Sequence, residues 1–444
     1  MTNIRKNISA IFGGGGGVNQ YGMIIALVVI IGAFDIATGG LTLSPTNVIN
    51  VFLQYSYILI LAIGMVMVII AGHIDLSVGS VAAFVGIIVA QSMAVWHFAW
   101  PLAIVLGLVI GAAVGAWQGF WVAYVRVPAF IVTLAGQLIF RGGNQLIGNS
   151  TAQPVPESYT VIGAGFIPDF GPNTNYSNGT LIVGLLVIVA IVYREIRGRK
   201  NRVRMGASMN PIWMSVVRIV VLGGITVYAT LLFASGRAGT SIPLVAIILG
   251  VLVLIYSFVT NTTIFGRHIY AVGGNSNAAV LSGVNSKRVN FFVMMNMSVL
   301  AAIAGMVFVG YSGSSGPSDG TGWELDAIAA VFVGGAAVAG GVGTITGSII
   351  GGLVLAFLAN GLSLLGTDTN LVQIIRGLVL LVAVAFDVYS KSQGRPSVIG
   401  YLTRNFKRQP PAGGGTGAGV GTDAAPKSAE QPRSIDDQPQ VLLP

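Results

Sequence analysis

Cysteine is absent from all 444 residues, which excludes disulfides, thiolate nucleophiles and iron–sulfur ligation; the redox character of the compartment stays open. Charge is scarce. Asp, Glu, Lys and Arg make up 8% of the chain, where a soluble domain carries about 25%. Histidine is limited to His73, His97 and His268, far apart and with no cysteine beside them, so no metal-ligand spacing is legible. The glycine-rich runs near 273, 334 and 340 lack the Gly-Lys-Ser/Thr ending that holds phosphate. No Ser/His/Asp arrangement can be read either. The chain therefore offers no visible catalytic, metal or nucleotide site, and an enzyme is a poor reading. No cofactor is expected in it. If ATP and its magnesium drive the activity, they belong to a separate subunit.

What is present is apolar. Hydrophobic residues make up 54% of the chain, which points to a membrane protein. Runs long enough to cross a bilayer lie near 21–38, 48–70, 76–95, 100–123, 129–148, 179–193, 212–233, 242–260, 290–310, 324–340, 343–363 and 370–389. The expected fold is all-α, a polytopic helical bundle of about ten to twelve spans. The runs at 76–95, 179–193 and 324–340 are short or rich in glycine and serine, which predicts broken or partly re-entrant helices. Such helices are tolerated only where protein or water covers them. Residues 1–20 read as a leader with a flexible Gly13–Gly17 run before a retained first span. Residues 21–390 form the membrane domain. Residues 391–444 form a basic segment and a Gly-, Pro- and Ala-rich tail that reads as disordered.

The net charge of +9 does not indicate nucleic acid, because the basic residues fall in short loops between apolar runs. With the N-terminus inside, Arg126, Arg194, Arg197, Arg199, Lys200, Arg202, Arg204, Arg267, Lys287, Arg288, Lys391, Arg395, Arg404, Lys407 and Arg408 all fall inside. Arg237 falls outside, and Arg141 lies near a span end. This bias puts both termini in the cytoplasm. Trp100 and Trp121 stand 21 residues apart, about 32 Å along a helix, and mark the two faces of the fourth span.

Glycine is 62 of 444 residues, roughly twice the usual share. Gly107, Gly111, Gly115 and Gly119 repeat every fourth residue along the fourth run, and Gly343, Gly347 and Gly351 do so along the eleventh. Each ladder follows a short span that opens on an acidic residue, Asp75 in one case and Glu324 with Asp326 in the other. The units are seven spans apart, so they would be inverted. Simple helix packing through small residues explains the ladders as well. Ionisable residues within spans are costly, and the candidates are Asp35, Arg141, Arg218, Arg376 and Asp387. Arg376 is the deepest and reads as a pore-lining group or an interhelical anchor, unless its span starts later than drawn. Gln54, Gln137, Asn144, Gln145, Asn296, Asn360 and Gln373 would contact a hydroxylated solute or join helices. A proton- or sodium-driven carrier would show several central carboxylates, and this chain does not.

The stretch 261–289, NTTIFGRHIYAVGGNSNAAVLSGVNSKRV, is polar, basic and placed between two apolar runs. Gly273 and Gly274 break a first short helix. Asn275 or Ser276 caps a second one through Ala278 to Leu281, Gly283 ends it, and Ser286 caps the next span. The pattern FGRHIYAVGGNSNAAVLSGV resembles the cytoplasmic coupling loop of ABC-importer permeases for monosaccharides, of the ribose and xylose type. AGHIDLSVGS at 71–80 and ELDAIAAVFVGG at 324–335 agree with that resemblance, which covers most of 48–390. It implies a permease subunit that forms the path for a monosaccharide such as xylose. The implied partners are a cytoplasmic ATPase docked at 261–289, an extracytoplasmic sugar-binding protein and a second copy of the permease.

Phe265, Gly266, Arg267, Tyr270, Gly273, Gly274, Asn275, Ala278 and Gly283 become the ATPase-coupling candidates. Arg267 would meet an acidic rim while Phe265 and Tyr270 fill an apolar cleft; its charge alone would equally serve to orient the neighbouring spans. Asp75, Ser77, Gly79, Ser80, Glu324, Asp326, Asn360 and Arg376 are candidates for the translocation path or its support. A permease for a nucleoside or a branched-chain amino acid, and a secondary carrier, remain alternatives.

Overall fold

A long apolar segment in lipid has no water for its amides, so it satisfies them internally as a helix. The computed structural model describes residues 17–172, 176–206, 211–235 and 241–392, with side chains between 22 and 385. The leader before residue 17, Arg237, the Asp387 side chain and the tail from 393 lie outside the described residues. The order is α1 (Gly17–Ala37), α2 (Pro45–Ile70), α3 (Val78–Ala94), α4 (Trp100–Phe120), a π-helical turn (Trp121–Val125), α5 (Ala129–Ile147), β1 (Gln153–Pro154), α6 (Glu157–Ala164), α7 (Asn178–Arg204), α8 (Ile212–Ala234), α9 (Leu244–Thr262), α10 (Ile264–Gly274), α11 (Ser276–Leu281), α12 (Ser286–Ser312), β2 (Ser314–Ser315), α13 (Trp323–Val333), α14 (Ile345–Leu364) and α15 (Thr369–Ser392).

Every apolar run marked in the sequence carries a helix. Among the described residues, seven helices are long and apolar enough to cross a membrane: α2, α4 with its π turn, α7, α8, α9, α12 and α14. Shorter apolar stretches lie in α1, α3 and α15. The protein is a multi-pass helical membrane protein.

The expectation of a short helix over 179–193 was wrong. Ser177 caps α7 by accepting from the Thr180 N–H, and the helix runs 27 residues through the basic cluster to Arg204. The apolar run stops at the first arginine, but a helix leaving lipid keeps its own hydrogen bonds. The expectation for the other two holds. Helix α3 has 17 residues. Helix α13 has 11, about 17 Å of rise and roughly half a bilayer core.

Helices α2 and α12 are the central posts. The apolar window of α2 is 83% buried, against none for α8. The two posts run antiparallel, as Tyr57 packs on Phe308 and Gly64 meets Met297. Around them, α2–α5 and α12–α15 repeat the same set of packing partners. The glycine ladder of α4 lies on α12, Gly111 against Ala302 and Gly119 against Phe291. Just before α14, Gly343 meets Val66 and Ile70 of α2, and within α14 Gly352 meets Leu59 of α2, while the ladder glycines Gly347 and Gly351 lie against Gly334 and Ala330 at the end of α13. Each unit thus receives the other's post, and the two units run in opposite directions.

The segment after α5 holds a helix that periodicity did not reveal. Tyr159 of α6 is fully buried and donates to the Met306 carbonyl at 3.1 Å. Beside it, β1 pairs with β2, Gln153 opposite Ser315.

Candidate functional site

Two places concentrate polar groups. The first is where the broken helices α3 and α13 begin. Gly305 of α12 lies against Ala82 of α3, and Val309 against Gly86, so the two helices run parallel. The start of α3 is then about 23 Å along an α12 that is about 40 Å long. Both short helices thus start inside the bundle, and their positive N-terminal ends approach each other.

Buried side chains fill the crossing. Asp75 accepts from the Ser77 N–H at 2.8 Å and the Ser77 hydroxyl at 2.6 Å. Gln118 of α4 donates to the Ser77 Oγ at 2.7 Å. Gln137 of α5 donates to Glu324 Oε1 at 3.0 Å, and Arg141 donates to Thr321 Oγ1 at 2.7 Å. Gly79 faces the Gly320 carbonyl and Glu324 Oε2 so closely that a Cβ would overlap both. Asp75, Ser77, Ser80 and Glu324 are buried. Through Ser77 and Glu324 the starts of α3 and α13 are joined to α4 and α5.

The remaining path candidates lie elsewhere. Arg376 of α15 pairs with Asp326 of α13 at 3.3 Å and donates to the Tyr55 hydroxyl of α2 at 2.9 Å. Arg376 thus joins α15 to α13 and α2. Asn360 exchanges hydrogen bonds with Asn47, at 2.8 and 2.9 Å, and so joins α14 to α2. Sequence reasoning passed over Asn47, Tyr55, Gln118 and Gly320. Gln118 carried a signal: it stands beside Gly119 of the ladder, on the packed face of an apolar helix.

The second place is one end of the bundle, built from α10 and α11. Thr263 caps α10 through the Gly266 N–H, and Asn275 caps α11 through the Ala278 N–H. Gly283, at φ +86°, turns the chain after α11. The cap of α12 is Asn285, which accepts from the Arg288 N–H, not Ser286 as expected; Ser286 is already the first helical residue. Phe265 and Tyr270 do not project outward. Phe265 packs edge-on against Phe292, and the Tyr270 hydroxyl donates to the Gly343 carbonyl at 2.7 Å. Burial pushes the Tyr270 phenol up from its ordinary value, so it stays a proton donor. Gly266 is buried, while Arg267, Gly274, Asn275 and Ala278 are exposed. Of the large apolar side chains of α10 and α11, Ile264 is 63%, Val280 53% and Leu281 90% exposed. Gly273 lies against the Ile70 carbonyl and Gly341.

A bundle of inverted units with helices broken at mid-depth, and a capped two-helix appendage at one end, defines a membrane permease. Residues 47–384 match the family described as branched-chain amino acid transport system, permease component, and the chain belongs to that family. It is 39% identical to the xylose transport system permease protein XylH of Haemophilus influenzae over 84% of this chain and 97% of that protein. It is 39% identical to the XylH of Escherichia coli K12 over 83% and 91%. With the ribose import permease protein RbsC of the same strain it shares 33% identity over 82% and 92%. No solved structure matches.

Proposed function

We propose that this chain is the membrane-spanning subunit of an ATP-driven ABC importer, and that two copies form the path for a monosaccharide such as xylose. The observation that carries the reading is Leu281, 90% exposed as the last residue of the capped helix α11. A group of this kind is costly to leave in water and suits an apolar cleft on a partner. The XylH relatives, matched over more than nine-tenths of their length, support the solute class by their names.

In this reading the positive-inside bias puts α10 and α11 in the cytoplasm with both termini. A cytoplasmic ATPase takes Leu281 into its cleft, and Arg267 meets its acidic rim. Phe265 and Tyr270, together with Gly266, Gly273 and Gly274, fix the appendage to the bundle; Asn275, Ala278 and Gly283 shape α11. An extracytoplasmic sugar-binding protein delivers the solute at the opposite end. ATP and magnesium act in the ATPase. The bundle meets lipid on most of α7 and α8, where the apolar side chains are exposed.

The test is to isolate the tagged chain from its native membrane, identify what co-purifies, and measure ATP-dependent xylose uptake in vesicles holding the assembly. Leu281→Glu is expected to abolish recovery of the ATPase and uptake while leaving membrane insertion intact. Undiminished uptake in that variant, or uptake by the chain alone, would refute the reading in favour of a carrier. Uptake of a nucleoside or a branched-chain amino acid in place of sugar would move the solute and keep the mechanism.

A further inference from the structure

Between the appendage and the bundle lies a cavity of about 1070 Å³. One wall is Val280 and Gly283 at the far end of α11. The other is the end of the π turn and the start of α5. Arg126 and Lys287 both line it, and none of its lining residues is acidic. Neither cation makes an ion pair among the described residues. Arg126 holds a left-handed conformation, φ +68°, that a side chain of its size rarely adopts. It closes the π turn Trp121–Val125, an interruption often found where a helix serves a site. Ala129 and Phe130, the first residues of α5, also line the cavity, and α5 starts without a side-chain cap. Two unpaired cations, an uncapped helix start and no carboxylate share one space large enough for a small ligand.

We propose that this cavity binds a phosphate group, held by the Arg126 guanidinium and the Lys287 ammonium. The phosphate belongs either to a soluble phosphate ester or to an anionic lipid headgroup. Arg126 closes the π turn and Lys287 is the second residue of α12, so the bound group joins the end of α4 to the start of α12, directly after the turn that leaves α11. The site does not depend on the identity of the transported solute.

The experiment uses the full chain in phosphatidylcholine nanodiscs and follows its melting midpoint. One arm adds inorganic phosphate; the other replaces a fraction of the lipid with phosphatidylglycerol. A saturable rise in one arm is expected, and that arm names the source. Arg126→Asn, which suits the left-handed backbone, and Lys287→Gln should each weaken the response at least tenfold. Asn277→Asp, which adds a carboxylate to the lining and removes no cation, should do the same. Arg288→Gln, one residue from Lys287 and outside the lining, should change the response less than twofold. No saturable response in either arm overturns the site, as does an equal loss with Arg288→Gln.

Discussion

Arg376 carries a charge in the last apolar helix, and its surroundings say how much that charge is stabilised. An isolated arginine or aspartate at mid-span costs about 2.5–3.5 kcal/mol. Here the guanidinium sits 3.3 Å from Asp326, with the two side chains 24% and 29% exposed. The Tyr55 hydroxyl accepts a second bond at 2.9 Å, and the Tyr55 ring lies 5.7 Å from the cation. Breaking a fully buried pair costs about 3–5 kcal/mol; exposure of about a quarter lowers that. Arg376→Met should therefore destabilise the chain by about 1–3 kcal/mol, because Asp326 is left without its partner. Asp326→Leu should do likewise. The double variant should cost about as much as one single variant, for a coupling of about 1–3 kcal/mol. The assay is reversible unfolding of the wild type, two single variants and the double variant in one detergent. Effects that add to within about 0.5 kcal/mol would refute the anchor and return Arg376 to the path.

Gly79→Ala would drive a methyl into the Gly320 carbonyl and to 2.6 Å from Glu324 Oε2, so the midpoint of thermal unfolding should fall with a loss of about 1–3 kcal/mol. Gly142→Ala, where a Cβ meets nothing within 4 Å, should be neutral or stabilise by up to about 1 kcal/mol. Tyr270→Phe removes the donor to the Gly343 carbonyl and should cost about 0.5–1.5 kcal/mol. It should also speed proteolysis of the appendage, and an unchanged digestion rate would count against the inward role of Tyr270.

Much of the fold was legible because a bilayer leaves few options. Twelve apolar runs became twelve helices, and the runs interrupted by Ser77–Gly79 and by Gly334–Gly335 were the ones that broke. The glycine ladders announced close helix contact. They did not say that the ladder of α4 would lie on α12 and that of α14 on the end of α13, since spacing names a face and not its partner. Arg376 was visible as an anomaly, whereas Tyr55 was not, because a tyrosine in an apolar run carries no signal until its hydroxyl finds a donor. The roles of Phe265 and Tyr270 went wrong for a related reason. An aromatic on a short helix beside a membrane can turn toward either side, and only the position of the Gly343 carbonyl and the Phe292 ring decides which. Val280 and Leu281 stay exposed, and nothing in the spacing of α11 separates them from buried positions.

The junction at the inner end of α2 explains why that difference bears on mechanism. The Gly341 N–H donates to the Ile70 carbonyl at 2.8 Å, Gly340 touches Gly72 and the Gly273 carbonyl, and a Cβ on Gly273 would overlap the Ile70 carbonyl. Three backbones meet where no side chain fits: the last turn of α10, the chain entering α3 and the chain leaving α13. The Tyr270 hydroxyl locks the same corner from the opposite side. Close-packed backbone does not deform gradually. A displacement of α10 must therefore either carry the inner ends of both broken segments with it or separate them, and those segments lead to the crossing at Gly79 and Gly320. Phe265 and Tyr270 turned outward would leave this corner held by one backbone hydrogen bond, and the appendage could move without the bundle. Turned inward, they make it a rigid extension of both inverted units, with Leu281 left as its free end.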